Sequence, residues 1–290
     1  MTVRRWCIPL AGLAVAGLPA LVAFTASGPA AVAATAATRP AASTAHARTA
    51  DHVTITHGPA IRNGGVGVGL AKPGGKPASS GGGISRQSTS TNWSGYAADG
   101  GTYTSVSASW VQPTGDCSGE NGDYASFWVG LDGYSSDSVE QTGTDTDCID
   151  GSPQYYGWYE TYPNPSYNFG DTVEPGDTIT ATVTYESGSD FKYTLADSTQ
   201  NWSVSTTQTE SGAARSSAEV IIEAPSSDSG VLPLADFGTV NLSNSTVDGS
   251  AIGDASPDQI TMINNSGQDK DTVSSLSGGE NFSATWDRSN

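Results

Sequence analysis

From Asn92 to the C-terminus, apolar and polar residues alternate along the chain with a period of two. This pattern is typical of strands that bury one face of a sheet, and β-branched and aromatic residues occupy many of the apolar positions. The predicted strands are Val106–Val111, Thr178–Tyr185, Phe191–Leu195, Trp202–Thr206, Ile260–Ile263 and Phe282–Trp286. The same region has no apolar period of useful length that would indicate a helix.

Short clusters of Gly, Pro, Asp and Ser separate these predicted strands, for example at Glu174–Asp177 and Ser277–Gly279. Many short strands with such turns predict an all-β fold, an antiparallel two-sheet β-sandwich of the jelly-roll or concanavalin-like type. The sequence predicts one domain of this kind, over residues 91–290.

The first 34 residues have the pattern of a secretory signal. Arg4 and Arg5 precede an apolar run from Trp6 to about Phe24, and small residues follow where cleavage is expected. We therefore expect residues 1–34 to be removed on export, which leaves a secreted protein without a membrane anchor. The arginine pair leaves the export route, general or twin-arginine, open.

Residues 35–90 are rich in Ala, Gly, Ser, Thr and Pro, which predicts an extended or disordered extension. Residues 1–90 hold eight of the 12 basic residues and one of the 30 acidic residues. Four basic and 29 acidic residues, a formal charge of −25, therefore remain in residues 91–290. A basic segment beside an acidic domain indicates either a pro-segment that docks on the domain and is later removed, or a plain linker.

The negative charge of the predicted domain makes nucleic acid and anionic membranes unsuitable partners. Near pH 4 many of the carboxyl groups would be protonated and their mutual repulsion would fall, which suits a protein that works in acid. Solubility or a saline habitat would explain the same charge. We expect a monomer that needs no cofactor and no metal.

Once the signal is removed, Cys117 and Cys148 are the remaining cysteines, and two cysteines of an exported protein usually pair. The disulfide would join the loop after the Trp110 strand to the loop after Gln141. Free thiols or an intermolecular pair are the alternatives.

All three histidines, His46, His52 and His57, precede the predicted domain. Ser-His-Asp and Cys-His hydrolases need an imidazole as the base, and the usual hydrolytic zinc sites need at least one as a ligand. Carboxylates and side-chain amides remain. In acid, a carboxylate can serve as the base while a neutral amide donates a hydrogen bond to the oxyanion, so the composition favours acid hydrolysis.

Five segments of the chain, in order and spacing, resemble the glutamic peptidase family, also called eqolisins or peptidase family G1. They are Asn92–Gly95, Trp128–Gly133, Val139–Gly143, Trp158–Pro163 and Ala218–Glu223. The resemblance extends over nearly all of residues 91–290 and implies a secreted bacterial acid endopeptidase acting on polypeptides. It also implies a two-sheet sandwich with a substrate cleft on the concave face of one sheet.

The resemblance implies that Gln141 and Glu219 are the catalytic pair, with direct attack of water and no acyl-enzyme. Glu219 would act as general base and then general acid, while Gln141 would orient the water and stabilise the oxyanion. Strand alternation places Glu219 and Glu223 on the same face. Glu223 is the alternative base, although Ala224-Pro225 ends the strand and therefore predicts a position at the rim.

Five further residues match family positions that line or support the cleft: Trp128, Asp132, Trp158, Glu160 and Tyr162. For each, a role in the core or in a turn is the alternative. Two other functions stay open at this point. Paired carboxylates on a β-sandwich also serve glycoside hydrolysis, and the seven tryptophans and 11 tyrosines of the chain would suit a non-catalytic carbohydrate- or protein-binding module.

Overall fold

The computed structural model describes residues 39–40, 49–50, 53–62, 87–118 and 121–290. The predicted signal, residues 1–34, lies outside the described residues, as does most of the predicted extension. In the part of the chain that is described, no helix is long and apolar enough to cross a membrane.

Almost all regular structure in the described residues is β-strand. In chain order the strands are β1 (Arg39–Pro40), β2 (Thr49–Ala50), β3 (Val53–Thr54), β4 (Gln87–Ser90), β5 (Trp93–Asp99), β6 (Ser105–Val111), β7 (Asp123–Leu131), β8 (Val139–Ile149), β9 (Ser152–Tyr162), β10 (Tyr167–Asn168), β11 (Thr178–Ser187), β12 (Asp190–Asp197), β13 (Trp202–Thr209), β14 (Ser217–Glu223), β15 (Ser226–Ser227), β16 (Gly230–Val231), β17 (Thr239–Val247), β18 (Ser250–Ala251), β19 (Asp258–Met262), β20 (Asp271–Val273) and β21 (Phe282–Trp286). One turn of 3-10 helix, Ile252–Ala255, joins β18 to β19.

Two large sheets form a sandwich, which confirms the predicted fold class. Sheet I has the strand order β1-β13-β12-β11-β6-β17-β21-β20, with β18 paired to β17. Sheet II has the order β10-β9-β8-β7-β14-β5-β19-β4. Pairing is antiparallel except for β1 with β13 and β4 with β19. Two small two-stranded sheets, β2-β3 and β15-β16, complete the pairing of the described strands.

Strand alternation divides the side chains of Sheet II between two apolar regions. Phe127, Val129 and Leu131 of β7 belong to the core between the sheets, together with Trp110 of β6 and Ile179 of β11. The intervening side chains of β7 lie on the opposite face of Sheet II, which we call the cleft face. That face has its own apolar cluster, formed by Trp93, Trp128, Tyr156, Trp158, Ile221, Ile260 and neighbouring residues.

Cross-strand pairing fixes which residues share the cleft face. Gly130 pairs with Gln141 on one side and with Glu219 on the other. Gln141 in turn pairs with Glu160. Four residues further along β14, Glu223 pairs with Ser126, which also pairs with Asp145. The cleft face therefore carries a central group of tryptophans with carboxyl and amide side chains on either side.

Cys117 and Cys148 form the predicted disulfide, with their Cα atoms 5.3 Å apart. Cys117 follows β6, as expected. Cys148, however, lies within β8, which differs from the prediction of a loop after Gln141. The strand is longer than the sequence pattern indicated because its residues pair with both β7 and β9 as far as Cys148 and Ile149.

Candidate active site

The centre of the cleft face is the Gln141 side chain, which is fully buried. Its Nε2 donates a hydrogen bond to the main-chain carbonyl of His57, and its Oε1 accepts none from the described residues. Gly130 makes room for this amide, since a Cβ at Gly130 would lie 3.2 Å from the Gln141 Cβ and 2.8 Å from the Trp128 ring. The amide thus contacts a peptide carbonyl in the way an oxyanion donor would.

The His57 side chain lies between two carboxylates of the cleft face. Its Nδ1 is 2.9 Å from Glu160 Oε2 and its Nε2 is 3.2 Å from Asp145 Oδ2. The imidazole also stacks on the Trp158 ring, with 3.7 Å between centroids. His57 is 1 % exposed, so these contacts replace almost all of its hydration.

Charge and burial act in opposite directions on this group of side chains. Burial alone would lower the pKa of His57, but the charges and hydrogen bonds of Asp145 and Glu160 outweigh it and raise the pKa well above 6.5. Burial raises the pKa of Glu160, although the hydrogen bonds and charge of His57 reduce the shift. The two carboxylates therefore favour the protonated form of the His57 imidazole.

Asp145 is held by hydrogen bonds from aromatic residues as well as from His57. Trp158 Nε1 donates to Oδ1 at 2.7 Å, and the Tyr156 hydroxyl donates to Oδ2 at 2.8 Å. Neither Asp145 nor Tyr156 was predicted as a site residue. Alternation along β8 gives the signal that could have found Asp145, because it lies four residues after Gln141 and hence on the same face.

Glu223 is buried on the cleft face, which shows that its predicted position at an exposed rim is wrong. It is the last residue of β14, as expected, but Trp128 Nε1 donates to Oε2 at 2.9 Å and Asn92 Nδ2 lies 3.4 Å from Oε1. Burial raises the pKa of Glu223 to about 8, while the charge of His57 acts to lower it. Glu223 therefore lies among the groups that surround His57.

Glu219 and Gln141 both pair with Gly130, from opposite sides of β7. The charged residues around Glu219 differ from those around Glu223. Burial raises its pKa well above 4.5, and the charges of Asp132, Glu140 and Asp99 add to the shift. The Ser217 hydroxyl is nearby, yet neither carboxyl oxygen has a hydrogen-bond partner of ordinary geometry among the described residues. None of the described contacts connects Glu219 with His57.

The remaining predicted site residues divide into two groups, four on the cleft face and Asp132 at a turn. Trp128 and Trp158 contact Glu223 and His57, as described above, and Glu160 contacts His57 twice, through Nδ1 and through the main-chain N–H at 3.0 Å. Tyr162 borders the next residue, because its ring is 3.5 Å from the position of a Cβ on Gly58. Trp158, Glu160 and Tyr162 thus border one stretch of peptide, while Trp128 contacts Glu223.

Asp132, by contrast, stabilises a turn through hydrogen bonds. Its carboxylate accepts hydrogen bonds from the main-chain N–H groups of Arg215 and Ser216 at 2.6 and 2.8 Å, and from the Ser136 hydroxyl at 3.0 Å. These contacts correspond to the turn role that the sequence left open as the alternative for Asp132.

The cleft face contains His57 although the domain sequence has no histidine. His57 belongs to residues 53–62, which we call the cleft segment, and these residues precede the first strand of the predicted domain. The chemical set on the cleft face is thus carboxylates, one amide and an imidazole from outside the domain. Across the described ranges, no group of three or more His, Cys, Asp or Glu side chains is arranged to hold a metal ion.

The sequence is similar to those of known peptidases. The chain matches the Peptidase A4 family over residues 91–286. It is 32% identical over 206 residues to aspergillopepsin-2 of Aspergillus niger, a match that covers 62% of this chain and 72% of that protein.

Solved structures give the same result. Scytalido-glutamic peptidase, crystallised with a transition state analogue inhibitor, aligns with a TM-score of 0.60 and 30% identity over 68% of this chain and 98% of its own. SCP-B, a member of the eqolisin family solved with the tripeptide Ala-Ile-His, aligns with a TM-score of 0.55 and 28% identity, again over 68% and 98% of the two chains. The resemblance predicted from the five sequence segments is confirmed: the chain belongs to the Peptidase A4 family and is a glutamic endopeptidase.

Proposed function

We propose that this chain is a secreted peptidase that hydrolyses polypeptides in acid, using Gln141 and Glu223 and direct attack by water. One observation carries the proposal: a peptide segment of the chain itself lies on the cleft face, with a main-chain carbonyl on the Gln141 amide. In this interpretation the His57 carbonyl occupies the position that the carbonyl of the cleaved peptide bond would take in a substrate.

Gln141 has the properties that an oxyanion donor needs in acid. A side-chain amide stays neutral at low pH, and its N–H already contacts a peptide carbonyl in this site. When water attacks the carbonyl carbon, negative charge develops on that oxygen, and a preorganised donor in a buried site then stabilises the transition state. The free Gln141 Oε1 can accept a hydrogen bond from the attacking water.

Glu223 is our choice for the base, in place of the Glu219 that the resemblance indicated. Gln141 contacts His57 directly. Glu223 is connected to the cleft segment through Asn92, because Asn92 Nδ2 is 3.2 Å from the Pro59 carbonyl and 3.4 Å from Glu223 Oε1. Both proposed catalytic groups therefore border the same three residues of peptide. No described contact links Glu219 to that peptide.

Protonation of Glu223 follows from its surroundings. With the cleft segment in place, burial raises the pKa of Glu223 to about 8, so the group is protonated in acid. When the segment leaves, water reaches the cleft, and the burial that raises this pKa is reduced. Glu223 would then accept a proton from the attacking water and return it to the leaving amine.

The proposal of activity in acid and the proposal of secretion rest on separate observations. Residues 91–290 carry a formal charge of −25, whose self-repulsion is relieved as carboxyl groups are protonated. Secretion rests on the signal pattern of residues 1–34. The inhibitor and the tripeptide bound by the two relatives support a peptide as the natural occupant of this cleft. We propose a monomer that acts without cofactor.

Digestion of a denatured protein tests the function. We expect the secreted protein to digest it at about pH 4 and not at about pH 7, with pepstatin and a metal chelator having no effect. Gln141→Glu should lose about a hundred- to a thousand-fold in turnover, because the neutral donor is removed. Gln154→Glu, an exposed glutamine on β9, is the matched control and should keep full activity. Digestion that pepstatin or the chelator abolishes, or that survives in Gln141→Glu, would contradict the proposal.

A further inference from the structure

Lys270, between β19 and β20, is a buried cation that lacks a close partner. It is 2 % exposed. Its N–H donates to the Met262 carbonyl at 2.8 Å, and its carbonyl accepts from the N–H groups of Asp287 and Arg288 at 2.9 and 3.1 Å. Its side chain, by contrast, makes no hydrogen bond or ion pair with any described residue. Lysine is rarely buried unless it is paired, so the main chain holds this ammonium group in place without supplying its partner.

Lys270 lines a cavity of about 480 Å³, which we call the Lys270 cavity. The ammonium group is not among the fully enclosed side-chain atoms without a partner, so the small accessible part of Lys270 includes it. The other polar side chains of the wall are hydroxyls and amides, among them Thr91, Ser229, Asn265 and Ser266. These four make no side-chain hydrogen bond with the described residues, so their donor groups are available to a ligand.

The composition of the wall favours a ligand with one negative charge. Although residues 91–290 contain 29 acidic residues, no Asp or Glu is among the described residues that line the cavity. One ammonium and several neutral donors suit a carboxylate, whose two oxygens can accept from the cation and from a hydroxyl or amide at once. A doubly charged phosphate would keep an unbalanced charge in a domain of formal charge −25.

We propose that the Lys270 cavity binds a carboxylate group and that Lys270 pairs with it. This inference goes beyond the proposed function, because no described contact joins Lys270 to Gln141 or Glu223. The carboxylate has two possible sources, which an experiment can distinguish. One is an acidic side chain of a polypeptide substrate, and the other is a separate carboxylic acid.

The position of the cavity makes the substrate a feasible source. The Thr91 N–H donates to the Ile61 carbonyl of the cleft segment at 3.0 Å. On another side of the cavity, Val231 pairs with Ser226, and Ser226 pairs with Thr56 of the cleft segment. Two parts of the cavity wall are therefore next to a peptide that lies in the cleft.

Acid removes one of the charges that compensate Lys270. The acidic groups that act on it are Asp271 of β20 and Asp123 of β7. Asp271 is buried, which raises its pKa to about 7, so this carboxyl group takes up a proton as pH falls through that value. The remaining groups that act on Asp271 are Ser94, Asp287 and Asp269. Burial lowers the pKa of Lys270 to about 8, so the ammonium stays charged in acid. A carboxylate should therefore bind most tightly between its own pKa and about pH 7.

Nuclear magnetic resonance of the lysine side chains measures this binding directly. The full chain has four lysines, and it would be isotope-labelled at the lysine Cε and carry Glu223→Gln to suppress self-digestion. At about pH 5, acetate should shift the Lys270 signal saturably, with a Kd of about 1–10 mM. Sodium chloride at the same ionic strength should not. Lys192, a partly exposed lysine on β12, is the internal control and should not respond to acetate.

Digestion of a denatured protein distinguishes the two sources. The parent enzyme and Lys270→Gln would be compared at about pH 5, where acidic side chains are mostly ionised. A substrate side chain as the source predicts that Asp and Glu are enriched about tenfold at one fixed distance from the cleaved bonds. Lys270→Gln should lose this enrichment and still cleave other sequences, while Lys192→Gln, the matched control, should keep it. A separate carboxylic acid as the source predicts acetate binding without enrichment.

The acetate measurement decides whether the site exists. Acetate that leaves the Lys270 signal where sodium chloride leaves it, or that shifts Lys192 equally, would overturn the proposal. The result does not depend on peptidase activity, because it is obtained in a Glu223→Gln chain. Loss of one signal in Lys270→Gln assigns Lys270. If that variant is not recovered folded, titration near pH 8 identifies the signal in the parent chain.

Discussion

Glu140 should make the protein more stable in acid than at neutral pH. The side chain is 0 % exposed, and neither carboxyl oxygen has a hydrogen-bond partner of ordinary geometry among the described residues. Burial, followed by the charge of Asp132, raises its pKa from 4.5 to about 9. Between these two values the folded protein binds one more proton at Glu140 than the unfolded chain does, so stability falls as pH rises.

The size of the effect follows from the pKa shift. At about pH 7 the folded protein keeps Glu140 protonated, whereas the unfolded chain ionises it at a cost in stability of about 3 kcal/mol. At about pH 4 both states are mainly protonated, and the cost is close to zero. Glu140→Gln keeps the shape and the neutrality of the protonated side chain, so it should remove this pH dependence.

Denaturant unfolding of the parent protein and of Glu140→Gln at the two pH values measures the difference. Both proteins would carry Glu223→Gln to suppress self-digestion. We expect the substitution at Glu140 to be about 3 kcal/mol more favourable at about pH 7 than at about pH 4. Glu174→Gln, a change at an exposed glutamate, is the control and should show no such difference. An equal effect of Glu140→Gln at both pH values would refute the argument.

Three further predictions concern the disulfide, the Asp132 turn and processing. Replacing Cys117 and Cys148 by Ser should cost about 3–4 kcal/mol in denaturant unfolding, because the bond closes a loop of 31 residues; a loss under about 1 kcal/mol would contradict this. Asp132→Asn should cost about 1–3 kcal/mol of stability with kcat/KM per folded molecule unchanged, whereas a raised KM at unchanged stability would indicate substrate binding. Intact-mass measurement of the active secreted protein should find a start after residue 62, and full activity in a chain that retains residues 53–62 would be contrary to expectation.

The sandwich could be predicted because its signal is local. Along β6, β11 and β12 the apolar residues alternate with Ser, Thr and Lys, and that pattern alone fixes a sheet with one buried face. The same alternation explains why Gln141 and Glu160, both implied as site residues by the resemblance, share one face, since they occupy cleft-face positions of paired strands.

The cleft segment could not be predicted, because it has no pattern of its own. Its amides and carbonyls are satisfied by Ser226, Asn92, Trp93 and Gly133, which are distant in sequence. The burial of Glu223 has a similar origin. A strand that ends at Ala224-Pro225 predicts a last residue at the rim, but Trp128 of the neighbouring strand β7 and Asn92, just before β5, cover it. Contacts of this kind depend on the assembled fold and leave no local trace in the sequence.

The most direct test of the proposed catalytic pair compares two isosteric variants that differ only in which glutamate is neutralised. Glu223→Gln and Glu219→Gln would be assayed on the same peptide at about pH 4, after removal of the cleft segment and with folding verified by near-UV circular dichroism. We expect Glu223→Gln to lose about a thousand-fold or more in kcat, because the proton acceptor is removed, and Glu219→Gln to stay within about tenfold of the parent enzyme. A folded Glu223→Gln that retains substantial activity, with the loss found in Glu219→Gln instead, would contradict the account and restore Glu219 as the base.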